Sequence, residues 1–126
     1  MIPNERILVP LDTTDLARAA KLAASLRGFV GGIKLGKEFF TANGQQGVRQ
    51  VVREGQPLFL DLKFHDIPNT VAGAIRAARQ LQPFMLNVHA SGGRAMMEAA
   101  VNANLEVGGP RCLLLAVTLL TSLSDS

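Results

Sequence analysis

The stretch FLDLKFHDIPNTV, residues 59–71, places a dense group of charges at the end of an apolar run. Asp61, Lys63, His65 and Asp66 all fall within it. Side chains alternate across a strand, so Asp61 and Lys63 are expected to point the same way. Opposite charges side by side at a strand end favour a ligand or catalytic site over an ordinary solvated surface.

The same alternation of apolar run and polar break extends along the whole chain. Segments between the runs carry apolar residues at helical spacing, as at positions 16, 19, 20, 23 and 26. Thr14 or Asp15 is expected to cap the first helix, and Asn43-Gly44 to break the second. Pro68 lies in the first turn of the third helix, where proline is tolerated. The predicted strands are 6–12, 29–36, 57–63, 83–90 and 111–121, and the predicted helices are 13–28, 38–55, 67–82 and 92–106.

These elements predict an α/β domain with a parallel sheet, because the strands are near-continuous apolar runs suited to burial on both faces. The rhythm fits either an open doubly wound sheet or a (β/α)₈ barrel of the TIM type. Four βα units and a fifth strand occupy the 126 residues, whereas a complete barrel has eight strands and about 250 residues. We therefore expect a single domain over 1–126, corresponding, for a barrel, to about its first half (strands 1–5), truncated on the C-terminal side.

A polar or ionisable side chain recurs at the carboxyl end of every predicted strand. In parallel α/β folds this edge carries the ligand site. Each residue alone has an ordinary explanation, such as a turn aspartate or a surface lysine, but the recurrence over five strands favours a site. His65 is expected to face away from it. The candidates are Asp12, Lys34, Asp61 with Lys63, His89 and Thr118.

The charges themselves suggest a reaction class. Lys34, Asp61, Lys63 and Asp66 are predicted to form an alternating network, unless Asp66 only caps the third helix. Neighbouring carboxylates favour the protonated form of a lysine. A fixed, protonated lysine can act as a general acid or stabilise a developing carbanion, but it is a poor Schiff-base nucleophile. The network thus predicts protonation of a carbanion, formed for example by loss of carbon dioxide.

Composition excludes several other classes. The net charge of +3 is spread over scattered basic residues, and the aromatic residues, 5% of the chain, are all Phe. Nucleic acid is therefore not an expected partner, whereas a small anionic ligand is. No apolar run reaches the roughly 18 residues of a membrane span. A single cysteine, Cys112, is expected to be buried and excludes a disulfide framework, and the absence of a secretory signal pattern predicts a cytoplasmic protein.

Several motifs, in order, resemble the orotidine 5′-phosphate decarboxylase family. FLDLKFHDIPNTV is similar to its Asp-x-Lys-x-x-Asp signature with an Ile-Pro-Asn-Thr extension, and ILVPLD, GGIKLGKEFF, NVHASGG and LLAVTLLTS are similar to its flanking strand ends. The resemblance spans residues 6–122. It implies decarboxylation of orotidine 5′-phosphate to uridine 5′-phosphate in pyrimidine synthesis, with no metal and no organic cofactor.

The resemblance also implies roles for the charged residues. Lys63 would deliver the proton to the pyrimidine carbon that loses carbon dioxide, and Asp61 would lie beside the departing carboxylate. Lys34 would contact the ribose and order the network. Asp66 and Thr70 would reach across the interface of a homodimer into the partner's ribose site.

The remaining candidates are substrate-binding residues. By resemblance, Asp12 would bind the ribose hydroxyls and Ser122 would hydrogen-bond the pyrimidine ring. His89 and Thr118 join them from their positions at strand ends.

Two alternatives remain open. Beyond Ser122 the family continues for about three βα units that supply the phosphate-binding residues and a closing loop, so the chain alone is expected to show little activity. A half barrel could instead serve as an inactive assembly module, stable only as an oligomer because its last strand has an unpaired edge. The Asp-x-Lys-x-x-Asp core is also shared with metal-dependent sugar-phosphate decarboxylases or synthases of the same suprafamily.

Overall fold

A single sheet of five parallel strands organises the chain in the computed structural model, which describes residues 3–122. The strand order is β1-β2-β3-β4-β5, without the reversal that defines a doubly wound sheet. Of the two predicted alternatives, this order matches consecutive strands of a barrel. The strands are β1 (Leu8–Pro10), β2 (Gly32–Gly36), β3 (Leu58–Phe64), β4 (Met85–His89) and β5 (Leu113–Val117).

A helix follows each of the first four strands, as the periodicity predicts. Asp15 caps the first helix, since its Oδ1 accepts a hydrogen bond from the Arg18 backbone N–H at 3.1 Å. Pro68 occupies the start of the third helix, where its missing N–H has no intrahelical partner to lose. The helices are α1 (Leu16–Leu26), α2 (Lys37–Val51), α3 (Pro68–Arg79) and α4 (Arg94–Glu106), with short 3₁₀ turns at Pro3–Arg6 and Ala90–Gly92.

The predicted break in α2 is confirmed at Gly44. Its φ of 67° and ψ of −168° interrupt the helix in a conformation that glycine adopts without strain. Beside it, the Asn43 side-chain amide donates to the Thr14 carbonyl at 3.0 Å and to the Phe39 carbonyl at 3.2 Å. The break thus ties α2 to the loop after β1, which carries Asp12.

The apolar core lies between the sheet and the helices. Register pairs Ile33 with Leu58, and Leu35 with Leu60, so these side chains share one face of the sheet. They are fully buried with side chains from the helices, including Phe39 of α2 and Met96 of α4. The opposite face, which would line a barrel, carries the polar residues of the strands.

β3 has its predicted length, shifted by one residue, whereas the other four strands are shorter than predicted because apolar runs extend beyond the paired residues. Phe29, expected at the start of β2, is 73% exposed and lies in a turn before the ladder begins. Leu119, expected inside β5, is 75% exposed beyond its end. Hydrophobicity does not reveal where backbone pairing stops. Residues 123–126 of the predicted polar tail lie outside the described residues.

A buried arginine secures the amino-terminal edge of the sheet. Arg79, at the end of α3, is 7% exposed. Its Nη1 donates to the backbone and side-chain oxygens of Asn104, both at 2.7 Å, and its Nη2 donates to the carbonyls of Gly108 at 3.3 Å and Pro110 at 3.2 Å. We call Arg79, Asn104, Gly108 and Pro110 the Arg79 cluster. It holds the end of α4 and the loop leading into β5.

Cys112 lies next to this cluster and is buried, as predicted. Asn104 donates its side-chain amide to the Cys112 carbonyl at 2.9 Å. Burial raises the pKa of the Cys112 thiol, and the positive charge of Arg79 offsets part of that rise. The thiol is therefore protonated at neutral pH, which suits a packing residue rather than a nucleophile.

β5 leaves one edge and much of its surface open. Within residues 3–122 it pairs only with β4. Leu113 and Leu115 are exposed on this strand, and Leu120 is exposed just after it. No helix within the same residues is both long and apolar enough to cross a bilayer.

Candidate active site

The charged stretch after the third strand forms a compact ionic cluster. Asp61 of β3 is only 6% exposed. Its Oδ2 lies 3.1 Å from Lys34 Nζ, and its Oδ1 lies 2.8 Å from Lys63 Nζ. Lys34 arrives from the neighbouring strand β2, whose Gly36 is in register with Asp61. The predicted proximity of Lys34, Asp61 and Lys63 on one face of the sheet is found in the structure.

Asn87 of β4 completes this group, and the sequence analysis missed it. Its Nδ2 donates to Asp61 Oδ1 at 2.7 Å, and its Oδ1 accepts from the Lys63 backbone N–H at 2.9 Å. One signal could have revealed it, since Asn87 is a polar residue within an apolar run, two positions before His89 and therefore on the same face. We call Lys34, Asp61, Lys63 and Asn87 the Asp61 cluster.

The backbone of β3 is irregular at this point. The register with β4 shifts between Leu60 and Phe64, as in a β-bulge. Within that interval Lys63 has a φ of 49°, in the left-handed region. For a residue with a Cβ this conformation costs about 1–2 kcal/mol. Such bulges re-aim side chains next to functional sites, and here Lys63 Nζ ends beside Asp61.

The hydrogen bonds of the cluster keep Asp61 ionised. Burial on its own raises the pKa of this carboxyl group, because a charge is poorly solvated away from water. Hydrogen bonds from Lys63, Asn87 and Lys34 outweigh that effect, so the pKa of Asp61 lies below its ordinary value. At neutral pH one carboxylate thus faces two ammonium groups, and the cluster carries an excess positive charge.

An open cleft of about 220 Å³ lies over the cluster. Lys34, Asp61 and Lys63 line it, together with Asp12 from the loop after β1 and Lys37 at the start of α2. Asp12 is exposed there, so its carboxylate is accessible to a ligand in the same cleft. Glu38 also lines the cleft, so its lining has as many acidic residues as lysines. The excess of lysines is confined to the Asp61 cluster, where it favours an anionic ligand.

His89 ends β4 as predicted, but its neighbour was not expected. The ring of His65 lies beside it, with 5.4 Å between ring centroids and 51° between ring planes. His65 thus lies beside one candidate residue, His89, but neither histidine lines the cleft over the Asp61 cluster, and the expectation that His65 faces away from the site stays a prediction. The loop after β3 turns towards the end of β4, where a Cβ built on Gly92 would lie 3.4 Å from His65 Cδ2.

Asp66 and Thr70 stand apart from the Asp61 cluster and are exposed. Asp66 Oδ1 accepts from the Ile67 backbone N–H at 2.7 Å. The N-cap of α3 is Ile67 and has no side-chain cap, so the alternative role of Asp66 as a helix cap is wrong. Within the described chain Asp66 also makes no ion pair with Lys34 or Lys63. The predicted four-residue network therefore contains Lys34, Asp61 and Lys63 but not Asp66, and Asn87 joins it instead.

Thr118 and Ser122 follow β5 and are exposed. β5 ends at Val117, which is the register partner of His89. Thr118 is therefore one position beyond the strand end where it was predicted. Ser122 lies in the turn that follows.

Possible metal ligands are sparse in this part of the chain. Over residues 3–122, no three His, Cys, Asp or Glu side chains come close enough together to hold a metal ion. The groups of the Asp61 cluster themselves offer anion binding by lysines and proton donation by an ammonium group.

A parallel sheet in sequential order, with helices on one face and charges at its carboxyl edge, defines an α/β domain of the TIM-barrel type. The model of the orotidine 5′-phosphate decarboxylase / HUMPS family matches residues 5–126. The chain belongs to this family, as its motifs suggested.

Similar proteins support the assignment and define its extent. The chain is 57% identical over 124 residues to an orotidine 5′-phosphate decarboxylase of Rhodospirillum rubrum, covering 94% of this chain and 50% of the relative. It is 54% identical over 117 residues to the orotidine 5′-phosphate decarboxylase of Sphingopyxis alaskensis, covering 93% of this chain and 50% of that relative. The crystal structure of orotidine 5′-phosphate decarboxylase from Lactobacillus acidophilus superposes with a TM-score of 0.85 at 35% identity, covering 94% of this chain and 55% of that structure's chain. The chain spans about half the length of the curated relatives it matches.

Proposed function

We propose that the chain carries the proton donor and the charged cluster of an orotidine 5′-phosphate decarboxylase, which converts orotidine 5′-phosphate to uridine 5′-phosphate and carbon dioxide. The observation that carries the proposal is the buried, ionised Asp61 between Lys34 and Lys63, facing a cleft at the carboxyl edge of the sheet. Family membership supplies the substrate.

In this reaction the bond between the pyrimidine ring and its carboxylate breaks, and the electron pair stays on the ring carbon. Lys63 donates a proton from its ammonium group to that carbon and later regains one from water. Its position 2.8 Å from Asp61 holds the ammonium at the floor of the cleft. A positive charge fixed where negative charge develops lowers the barrier without reorganisation.

Asp61 acts on the departing group. Its carboxylate remains ionised and lies beside the substrate carboxylate, so the two negative charges repel each other in the bound substrate. Loss of carbon dioxide removes that repulsion, and the interaction therefore favours the transition state over the ground state. The burial of Asp61 strengthens the effect, because little water is available to screen it.

The other candidates bind the rest of the nucleotide. Asp12, exposed in the cleft, and Lys34 contact the ribose hydroxyls. Ser122 hydrogen-bonds the pyrimidine ring, and His89 and Thr118 bind substrate at the neighbouring strand ends. No metal or organic cofactor takes part.

A homodimer completes the site in this proposal. Asp66 and Thr70 are exposed at the start of α3, and Asp66 has no ion pair within the described chain. Both side chains are therefore available to the ribose site of a second copy. Asp66 then supplies the second carboxylate that the alternating charge network lacks in one chain.

A second function, as an assembly module, is favoured by the open side of β5. Within residues 3–122, β5 has exposed Leu113 and Leu115 and one unpaired edge, features that promote association. In that case the Asp61 cluster would bind nucleotide weakly and would not turn it over.

A complementation assay separates these functions. The chain would be assayed for loss of orotidine 5′-phosphate by absorbance, alone and mixed with the C-terminal half of the Rhodospirillum rubrum relative, with light scattering on both samples. We expect an oligomeric chain with little activity alone, and turnover after complementation that a chelator does not reduce. Absence of turnover in the complemented sample supports the assembly module, and dependence on magnesium supports a metal-dependent member of the suprafamily. A monomer that reacts alone at the rate of the full-length relative contradicts the half-barrel interpretation.

A further inference from the structure

We propose that Asn87 is a positioning residue that sets both partners of the proton-donor pair, Asp61 and Lys63, through one side-chain amide. The inference deepens the proposed function and rests on it for the reaction. The geometry behind it concerns the Asp61 cluster alone and can be tested without substrate.

The first observation is a gap in the ladder between β3 and β4. Leu60 pairs with Leu86 and Phe64 pairs with Val88, so the stretch 61–63 of β3 lies opposite Asn87 alone. A regular ladder cannot satisfy the backbone of such a stretch. The Asn87 side chain takes the place of the missing ladder hydrogen bond, because its Oδ1 accepts a hydrogen bond from the Lys63 backbone N–H at 2.9 Å.

The second observation is that the same amide also holds the carboxylate. Asn87 Nδ2 donates to Asp61 Oδ1 at 2.7 Å, the oxygen that also receives Lys63 Nζ at 2.8 Å. An amide presents a donor and an acceptor in one rigid plane. The distance between the Asp61 carboxylate and the Lys63 backbone is therefore set by Asn87.

The third observation is burial. Asn87 is only 3% exposed, so water cannot readily replace either bond if the amide is removed. Lys63 is held at a positive φ that a lysine otherwise avoids. Without the Asn87 acceptor, the Lys63 backbone is expected to relax towards ordinary strand geometry and carry Nζ away from Asp61.

Two variants and one matched control test the proposal. Asn87→Leu removes both hydrogen bonds, and Asn87→Asp keeps the shape and the acceptor but loses the donor, which covers the case that the leucine variant does not fold. Asn104→Leu is the control. It removes a partly buried asparagine whose amide also bonds the backbone, but in the Arg79 cluster at the other edge of the sheet.

The first measurement needs no substrate. Carbon-detected NMR follows the titration of the Asp61 carboxyl, and hydrogen exchange follows the Lys63 amide. We expect both Asn87 variants to move the Asp61 midpoint upward. In Asn87→Leu, exchange of the Lys63 amide should also become about tenfold faster or more than in wild type, measured against the amides of the buried strands as a reference. Asn104→Leu should change neither. An unchanged Asp61 midpoint and Lys63 exchange in Asn87→Leu overturns the proposal.

The second measurement uses the complemented protein. Loss of a hydrogen bond to a charged group predicts a fall in kcat of about 10–100-fold, with KM changed less than about threefold. Asn87→Asp should also alter the pH profile of kcat, because it places a second carboxylate beside Asp61. Wild-type kcat in folded Asn87 variants overturns the catalytic part. If wild type itself shows no turnover, the proposed function fails, and the NMR result alone decides whether Asn87 positions the pair.

Discussion

The Asp61 cluster and the Arg79 cluster each centre on one buried charged side chain, but they lie at opposite edges of the sheet. Asp61 and Arg79 are buried to nearly the same degree. Among residues 3–122, the acceptors of Arg79 are all neutral oxygens, from Asn104, Gly108 and Pro110. Asp61 instead receives two ammonium groups and an amide.

The difference shows that burial of a charge does not by itself indicate a functional site. Both Nη atoms of Arg79 are occupied by carbonyl oxygens, so its bonds close loops and stabilise the fold. The Asp61 cluster has more cations than anions and opens to a cleft, so it still attracts an anion. The type of partner and the open side separate a catalytic cluster from a structural one.

The largest expected effect comes from removing the proton donor. Lys63→Ala in the complemented protein should lower kcat by about 10³-fold or more, since general acid catalysis and fixed positive charge are both lost. Affinity for uridine 5′-phosphate should change little, because ribose and phosphate contacts dominate binding. Kinetics and calorimetry measure the two quantities. Lys21→Ala, at an exposed lysine of α1, is the control, and near-normal turnover by Lys63→Ala would rule out the proton-donor role.

At the other edge of the sheet, Arg79→Leu should act on stability alone. It leaves several buried oxygens without donors, so the free energy of unfolding should fall by about 2–3 kcal/mol. Urea denaturation measures the loss. The matched control is Arg76→Leu on the same helix, whose exposed pair with Glu106 at 3.1 Å should contribute less than about 1 kcal/mol. Equal losses in the two variants would contradict the structural role of Arg79.

A smaller effect tests the backbone of Lys63. Comparing Lys63→Gly with Lys63→Ala isolates the positive φ, because neither variant keeps the ammonium. Glycine should be the more stable by about 1 kcal/mol in urea denaturation, since it adopts this conformation without a Cβ clash. At Lys34, which lies in a regular part of β2, alanine should be the more stable of the two. The same preference at both positions would argue against the bulge.

The smallest effect is a pH dependence of stability. Hydrogen bonds hold the pKa of Asp61 below its ordinary value of 3.8. Its carboxylate therefore adds stability that is fully present above that value and is lost as the pH falls through the lower folded pKa. Asp61→Asn should lack this loss, so its stability should approach that of wild type as the pH drops below 3.8. Arg79→Leu should keep the wild-type pH dependence, and acid denaturation curves measure all three proteins.

Much of the fold and of the Asp61 cluster could be predicted from the sequence, because hydrophobic periodicity and the capping and breaking residues determine the helices and strands. The helical spacing, Asp15 and Gly44 each predicted a feature that the structure confirms. The alternation of side chains along β3 predicted that Asp61 and Lys63 share one face of the sheet. The position of Lys34 at the end of the neighbouring strand placed it beside them.

The remaining features depend on tertiary geometry. The ends of β1, β2 and β5 follow backbone pairing, which apolar runs such as 29–36 overextend. Asn87 acquires its role only because a register shift leaves the 61–63 stretch opposite it, and no local pattern encodes that shift. The placement of His65 beside His89 likewise follows from the path of a loop.

The sequential order of the strands has a consequence for assembly during synthesis. Each strand pairs with the one made just before it, so no pairing has to wait for a distant part of the chain. All members of the Asp61 cluster lie between residues 34 and 87, on β2, β3 and β4. We expect their ionic contacts to form on the ribosome once β4 has emerged and paired, before β5 has left the exit tunnel.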